Sequence, residues 1–199
     1  GKRVLILASH GSSLRNFRGA LIERLCLEGI DVHVAAPSLG LSSSTSEWLR
    51  ALGVNLHQVP IVRSGINPLR DIYSLCVLLV LIKRIKPHLY LGYTIKPVIW
   101  GGLASYILRV PQRISLITGL GYAFTGEATG KRKYIQLIVK RLYKWVLRSA
   151  TLVFFQNPDD LREFQDLGLI ALDKPVCVLN GSGVDLLKYQ KVSTPNADV

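Results

Sequence analysis

The regular alternation of short apolar runs with amphipathic helical patterns is the feature that most constrains the fold. Apolar runs rich in β-branched residues predict strands at 3–8, 31–36, 54–60, 88–93, 113–118, 151–155 and 175–180. Helical patterns lie between them at 16–28, 45–52, 67–86, 96–108, 131–149 and 158–167. Because strands and helices alternate throughout, we expect an α/β fold in which a parallel sheet carries helices on both faces. A chain of 199 residues is long enough for one substantial domain of this kind.

Positive charge is concentrated in the middle of the chain. Residues 72–158 hold thirteen of the 25 Lys and Arg residues and one of the 13 acidic residues, Glu127. This segment therefore carries the whole formal net charge of +12. A field concentrated in this way indicates an anionic partner: nucleic acid, anionic lipid or a phosphorylated substrate. Nucleic acid is disfavoured, because the sequence has no basic-aromatic module such as an RNP pattern.

The predicted helix at 131–149 is the clearest amphipathic segment. One face carries five basic residues: Lys133, Lys140, Arg141, Lys144 and Arg148. The opposite face carries Tyr134, Ile135, Ile138, Leu142, Trp145 and Val146. The pattern fits a core-packed helix with a solvated basic face, and it equally fits a surface that docks on anionic lipid, where each basic residue contributes about 1 kcal/mol. The apolar run at 72–82 has almost no polar side, which favours lipid or another domain as its cover.

Several classes of protein and site are disfavoured. The longest apolar run has 11 residues, short of the roughly 18 that a membrane span needs. Three widely spaced cysteines occur in apolar sequence surroundings: Cys26, Cys76 and Cys177. They favour reduced core thiols in a cytosolic protein. Among the four scattered histidines, His33 is expected to face the core and His10 alone falls in a ligand loop. No cluster has metal-ligand spacing, so we expect no metal ion.

Ligands of such sheets bind beyond the C-terminal ends of the strands. There the stretch "HGSS" places Gly11, Ser12 and Ser13 before a helix, where backbone amides could cradle a phosphate or the loop could simply turn. The stretch "LITGLGYAFTG" at 116–126 breaks from a strand into a loop with three glycines and several hydroxyl groups. The G-x-G-x-x-G and G-x-x-x-x-G-K-[ST] nucleotide fingerprints are both absent. Helix capping by Asn157 explains "QNPDD" at 156–160 without a ligand.

A set of stretches in a fixed order resembles a known family. They are "NFRGALIERL", "DVHVAAP", "GINPLRD", "YTIKPVIWGGLAS", "LITGLGYAFTG", "RSATLVFFQNPDDLREF" and "VLNGSGVDLLKY". Together they resemble the N-terminal half of a family 4 (GT-B) glycosyltransferase, in the branch that extends sugars on undecaprenyl-diphosphate carriers. The resemblance spans nearly the whole chain, and the combination is far more specific than any single glycine motif.

The resemblance implies a function that the residues alone do not give. Residues 1–185 would form a Rossmann-like acceptor-binding domain, and 186–199 a linker or tail toward a C-terminal donor domain that this chain lacks. The enzyme would move a sugar, with retention of configuration, from a nucleotide-sugar to a lipid-linked saccharide in bacterial surface polysaccharide or glycan synthesis. It would need no cofactor and would work in the cytoplasm, peripherally on the inner face of the cell membrane. The chain alone is expected to be incomplete and inactive.

The resemblance also assigns residues to roles. The predicted acceptor or cleft residues are Arg18, Tyr93, Lys96, Thr118, Gly119, Gly121 and Tyr122. Gly11, Ser12 and Ser13 would face the donor diphosphate, and the five basic residues of the 131–149 helix would dock on the membrane. No catalytic residue is carried over, because many relatives have a histidine where this sequence has Gly119 and Leu120. Two alternatives stay open: a non-catalytic membrane-docking subunit of a split glycosyltransferase, and a soluble module that binds a phosphosugar or nucleotide.

Overall fold

The computed structural model describes residues 1–39, 43–62, 67–119 and 131–183. Its strands are β1 (Arg3–Leu7), β2 (Asp31–Ala36), β3 (Asn55–Gln58), β4 (Leu89–Tyr93), β5 (Gln112–Ile117), β6 (Leu152–Phe155) and β7 (Val176–Val178). They form one parallel sheet in the order β3-β2-β1-β4-β5-β6-β7. The helices are α1 (Gly11–Leu27), α2 (Ser44–Ala51), α3 (Pro68–Ile85), α4 (Gly102–Ile107), α5 (Lys131–Ser149) and α6 (Pro158–Asp166). A π-helical turn, Pro97–Gly101, runs directly into α4.

Helices cover both faces of the sheet, as the sequence predicts. Because successive strand residues point to opposite faces, Val4 and Ile6 join the core shared with α1 and α2. Leu5 and Leu7 join the core on the other face, shared with α3 and α4. Farther along that face, Phe155 belongs to a core formed with α5 and α6. The expected α/β architecture is confirmed.

Capping residues set several of the helix starts. Asn67 accepts a hydrogen bond from the Arg70 backbone amide at 3.2 Å, so α3 begins at the proline that follows Asn67. Asn157 caps α6 in the same way, through a 2.6 Å bond from the Asp160 amide. Capping by Asn157 is therefore confirmed.

The first and fourth helices differ from their predicted extents. α1 was expected to begin at 16, but it begins at Gly11 because His10 accepts from the Ser12 amide and acts as the N-cap. The helix expected over 96–108 starts with the π-helical turn. There the buried Tyr90 hydroxyl donates to the Pro97 carbonyl at 2.7 Å, and Gly101 leaves room for that hydroxyl. At both helix starts a side chain hydrogen-bonds to the backbone, and hydrophobic periodicity does not report such bonds.

The expectation of core thiols is wrong for two cysteines. Cys76 is exposed because it lies on the side of α3 that faces away from the sheet, and Cys177 is exposed on the edge strand β7. Cys26 is half-buried on α1. His33 was expected to face the core, and its side chain is 13% exposed. It also has a polar neighbour, because its Nδ1 lies 2.9 Å from His57 Nε2.

In the part of the chain that the structure describes, no helix is long and apolar enough to cross a membrane. Across the same residues, no group of three or more His, Cys, Asp or Glu side chains is arranged to hold a metal ion.

Candidate functional site

A cleft opens at the C-terminal ends of β1 and β4, where the strand order changes direction. From β1 the chain proceeds through α1 to β2 on one side, and from β4 it proceeds to β5 on the other. Ligands of open α/β sheets bind at such a switch point. The cleft has a volume of about 470 Å³. Six of its lining residues are serines or threonines: Ser9, Ser12, Ser13, Thr94, Thr118 and Ser182.

Arg18 places a buried cation in this cleft. The residue is only 8% exposed, and its guanidinium carbon lies 5.0 Å from the centre of the Tyr93 ring. Nη1 donates to the Phe17 carbonyl at 2.7 Å and reaches Ser182 Oγ at 3.5 Å. Among the described residues, the buried Nε has no hydrogen-bond partner, and no acidic side chain forms an ion pair with the guanidinium. Burial lowers the pKa of Arg18, and the nearby Tyr93 opposes that shift.

Such an environment favours an anionic ligand. A desolvated charge is costly unless a partner of opposite charge compensates it. Stacking on an aromatic face recovers part of that cost, but it does not use the in-plane N–H groups of the guanidinium, of which Nε has no partner among the described residues. Those groups form a fork that matches the geometry of phosphate and carboxylate oxygens.

Tyr93 and Ser13 tie the end of β4 to the start of α1. Ser13 Oγ donates to the His10 carbonyl at 2.6 Å. Because a serine has one hydroxyl proton, the Tyr93 hydroxyl, 2.8 Å away, must donate to Ser13. Burial raises the pKa of Tyr93 to about 12, against the opposing effect of the Arg18 charge. Tyr93 is therefore a neutral phenol that holds this corner of the cleft and presents its ring to the guanidinium.

Two more hydrogen bonds shape the cleft walls. Thr94 Oγ1 donates to Ser9 Oγ at 2.9 Å and joins β4 to β1. Gln156 Nε2 donates to Ser182 Oγ at 2.7 Å and joins the end of β6 to the segment after β7. Phe17, which is 55% exposed, adds an aromatic ring to the lining. A cation, several hydroxyl groups and an aromatic ring are a combination suited to a phosphorylated sugar ligand.

Half of the ten cleft residues predicted from the sequence are brought together in the cleft lining. Five of them line the cleft: Arg18, Tyr93, Thr118, Ser12 and Ser13. Gly119 directly follows Thr118, and Gly11 is the first residue of α1. Gly121 and Tyr122 lie outside the described residues.

Lys96 occupies a different environment. Its Nζ lies 2.7 Å from Asp71 Oδ1, and the two side chains are 12% and 8% exposed. The ion pair joins the loop after β4 to the first turn of α3. Lys96 is not among the residues that line the cleft. Its contribution to acceptor binding stays a prediction.

The outer side of α5 is aromatic as well as basic. Four of the five predicted docking residues are exposed: Lys133, Arg141, Lys144 and Arg148; Lys140 is half-buried. Tyr134, Ile138 and Trp145 were expected on the opposite, apolar face. They are instead 72%, 58% and 43% exposed, respectively. The residues that pack on the sheet are Tyr143, Val146 and Leu147. The stripe in contact with the core is therefore rotated from its predicted position, and aromatic and basic side chains share the outer face.

A continuous layer of helices extends this surface. α3 exposes Leu69, Ile72, Tyr73, Cys76 and Val80 on its outer side. α4 lies between α3 and α5, and its Tyr106 ring packs edge-on against Trp145 at 5.2 Å. We call the exposed apolar residues of α3, α4 and α5, together with the five basic residues of α5, the outer helical surface.

Solved structures share this architecture at low sequence identity. MurG of Acinetobacter baumannii matches with a TM-score of 0.56 and 18% identity, over 90% of this chain and 46% of that one. The Anabaena protein HepE, solved in complex with UDP and glucose, matches with a TM-score of 0.60 and 15% identity, over 95% and 46%. The UDP-GlcNAc 2-epimerase of Methanocaldococcus jannaschii matches with a TM-score of 0.54 and 14% identity, over 89% and 45%. The fold is thus the Rossmann-like half of the GT-B class, and the chain spans less than half the length of these proteins.

The family follows from the sequence itself. Residues 3–157 match the family model described as glycosyl transferase 4-like. The match covers well over half of the chain, so this chain belongs to that family. A comparison with curated protein sequences gives no significant match. The resemblance to the N-terminal half of a family 4 GT-B glycosyltransferase is confirmed at the level of family and fold.

Sequence reasoning did not select Phe17, which lies within α1, or four cleft residues that lie in loops: Ser9, Thr94, Gln156 and Ser182. Each of these four lies within a few residues of a strand end, in a loop that the strand pattern places at the binding edge. That position was the available signal. The sequence does not indicate which side chain of each loop turns inward, because this depends on hydrogen bonds between loops that are far apart in the chain.

Proposed function

We propose that this chain is the acceptor-binding half of a retaining glycosyltransferase that moves a sugar from a nucleotide-sugar to a lipid-linked, polyprenyl-diphosphate saccharide. The observation that carries the proposal is the buried Arg18 guanidinium, which lacks an acidic partner among the described residues and lies in a hydroxyl-lined cleft at the switch point. Family membership supports the reaction class.

In this proposal the cleft receives the phosphorylated end of the acceptor. Arg18 would bind phosphate oxygens, and the exposed ring of Phe17 offers an apolar contact next to it. Ser12 and Ser13 line the cleft at the first turn of α1, a helix of 17 residues. The positive end of such a helix favours negative charge, which fits a role for this turn near the donor diphosphate. Thr118 and the residues that follow it would border the acceptor sugar.

The domain organisation is part of the same proposal. Residues 1–185 would form the acceptor domain, and 186–199 would lead toward a donor domain that holds the nucleotide-sugar. Support comes from the match to less than half of each similar protein. We expect the 199-residue chain to give no turnover alone and a donor domain supplied in trans to restore transfer, because the leaving diphosphate must be stabilised electrostatically. Turnover by the isolated chain would contradict this division of labour.

The outer helical surface would hold the protein at the inner face of the cell membrane. Exposed Tyr134, Ile138 and Trp145 lie among the basic residues of α5. Amphipathic helices with aromatic and basic side chains bind at the lipid interface, and anionic lipid strengthens that binding. A lipid-linked acceptor would stay in the membrane, so the cleft must be held close to the bilayer. The outer helical surface would provide that attachment.

Titration calorimetry with farnesyl diphosphate, a short prenyl diphosphate, tests the cleft. Replacing Arg18 by Gln should weaken binding by about tenfold or more, because a hydrogen bond to a charged group contributes about 1.5–3 kcal/mol. Arg24→Gln is the matched control, since Arg24 lies on the same helix with a side chain that is 75% exposed. Its affinity should equal that of the wild type. Equal affinity for Arg18→Gln, or no binding by the wild type, would contradict the proposal.

Vesicle co-sedimentation tests the membrane role. The chain should bind phosphatidylglycerol vesicles, less so as salt is raised, because exposed charges are screened over about 10 Å at 0.1 M. Replacing Lys140, Arg141 and Lys144 by Glu should abolish that binding. Equal binding to neutral vesicles would contradict the electrostatic part of the proposal, and no binding to either would favour a soluble phosphosugar-binding module.

A further inference from the structure

Thr94 has an unusual backbone conformation at the edge of the cleft. Among the described residues, four residues other than glycine have a positive φ: Ser38, Lys86, Thr94 and Arg109. Lys86 and Arg109 follow α3 and α4, where left-handed residues commonly end helices. Thr94, with a φ of 69°, is the β-branched member of the four. For a β-branched residue this conformation is a genuine outlier, and its side chain is strained against its own backbone.

Neighbouring groups hold Thr94 in this conformation. Its carbonyl accepts from the Val98 amide at 3.0 Å, at the start of the π-helical turn. Its side-chain Oγ1 donates to Ser9 Oγ at 2.9 Å. Glycine or asparagine would adopt the same backbone at lower cost. Strained residues of this kind persist where the surrounding structure over-determines them, and they cluster at ligand sites.

The hydrogen bond from Thr94 fixes the role of the Ser9 hydroxyl. Because Ser9 Oγ is the acceptor in this bond, its own proton is left to donate elsewhere. Ser9 is only 8% exposed, and both residues line the cleft that contains the Arg18 guanidinium. A hydroxyl whose proton is free to donate, in the same cleft as a buried cation, complements an anion.

We infer that Thr94 is a positioning residue that orients the Ser9 hydroxyl as a hydrogen-bond donor to the phosphate group bound by Arg18. The inference rests on the anion-binding cleft of the proposed function and deepens it. The strained backbone at Thr94 is retained because it directs Oγ1 toward Ser9. Ligand affinity depends on this side-chain orientation, whereas the stability of the fold does not.

Thr94 variants separate affinity from stability. With inorganic pyrophosphate as the probe, Thr94→Gly should raise the melting temperature through relief of strain and weaken binding three- to tenfold. Thr94→Val keeps the branched shape without the hydroxyl and should weaken binding equally. Thr94→Ser restores the hydroxyl and should bind within twofold of the wild type. Ser9→Ala should weaken binding as Thr94→Val does, and the Ser9→Ala/Thr94→Val double variant should bind no more weakly than either single variant.

Ser38→Gly is the matched control. Ser38 also has a positive φ, of 62°, after a strand at the same edge of the sheet, but it does not line the cleft. This substitution should leave pyrophosphate affinity unchanged. Binding that is lost in Arg18→Gln but unchanged in Thr94→Val and Ser9→Ala would overturn the role of Thr94 and leave the anion site standing. No binding of pyrophosphate by the wild type would overturn the anion site itself.

Discussion

Replacing Gly101 by Ala tests the packing that holds the π-helical turn beside the cleft. A Cβ at this position would overlap the Tyr90 hydroxyl and lie 2.6 Å from Tyr90 Cζ and 2.5 Å from Leu7 Cδ2. Tyr90 is 1% exposed and Leu7 is fully buried, so neither has free space into which to move. The substitution must displace the tyrosine ring and break its 2.7 Å hydrogen bond to the Pro97 carbonyl.

The expected loss of stability follows from three terms. Overpacking a core costs about 1–3 kcal/mol, and a buried carbonyl without a donor costs about 1–3 kcal/mol more. The better helix propensity of alanine offsets about 1 kcal/mol of this. The net loss is about 3 kcal/mol, which in a domain of this size lowers the melting temperature by about 6–12 °C.

Differential scanning calorimetry on three variants checks this reasoning. Gly19→Ala is the matched control, because a Cβ there would meet Trp48 at an ordinary 3.5 Å. That variant should gain about 0.5–1 kcal/mol, since alanine is favoured over glycine inside a helix. Adding Tyr90→Phe to Gly101→Ala should recover part of the loss, because the overlapping hydroxyl is gone. A melting temperature for Gly101→Ala within about 2 °C of the wild type would refute the argument.

Three further predictions concern other parts of the fold. Lys96→Met should lower the free energy of unfolding in urea by about 3–5 kcal/mol, because it leaves the Asp71 carboxylate buried and unpaired. Adding Asp71→Leu should restore most of that stability. If the double variant is no more stable than Lys96→Met, the two side chains are not coupled. Burial, together with the nearby His33 and Arg84, lowers the pKa of His57 to about 4. Protonation of His57 therefore favours the unfolded chain. After allowance for partial exposure, the free energy of unfolding should fall by roughly 1–2 kcal/mol as pH drops from about 6.5 to 4. Urea midpoints across that range should flatten in His57→Gln, and a flat wild-type profile would contradict the assignment. Asn157→Ala should cost about 1 kcal/mol through loss of the α6 cap, and Asn157→Gly only a few tenths; equal losses in the two variants would argue against capping.

The sequence was sufficient for the architecture because periodicity reports burial directly. The run at 31–36 matches β2 (Asp31–Ala36), and Asn67 marks the start of α3 as predicted. The strand ends indicated which loops lie at the binding edge of the sheet, and the family resemblance selected Arg18 and Tyr93, both of which line the cleft.

Other features depend on contacts that the sequence does not encode locally. On α5, Tyr143 packs edge-on against Phe164 in the core, with ring centres 5.7 Å apart, while Trp145 is exposed. The pairing of Lys96 with Asp71 joins residues 25 positions apart. The inward turns of Thr94 and Ser9 depend on each other, across 85 residues of chain. In each case the residue type is compatible with several environments. The environment that it occupies depends on residues that are distant in the sequence and adjacent in the fold.

The buried guanidinium of Arg18 also bears on how much of this protein a cell maintains. A charged group that is desolvated without an acidic partner in the described structure destabilises the ligand-free folded state. An anionic ligand that binds only the folded chain offsets this destabilisation. By mass action, a ligand at one hundred times its dissociation constant adds about 2.7 kcal/mol to folding stability. Proteases degrade the unfolded fraction, so a change of 1–2 kcal/mol alters abundance several-fold. On the proposed function, the level of this protein would rise and fall with the supply of its acceptor.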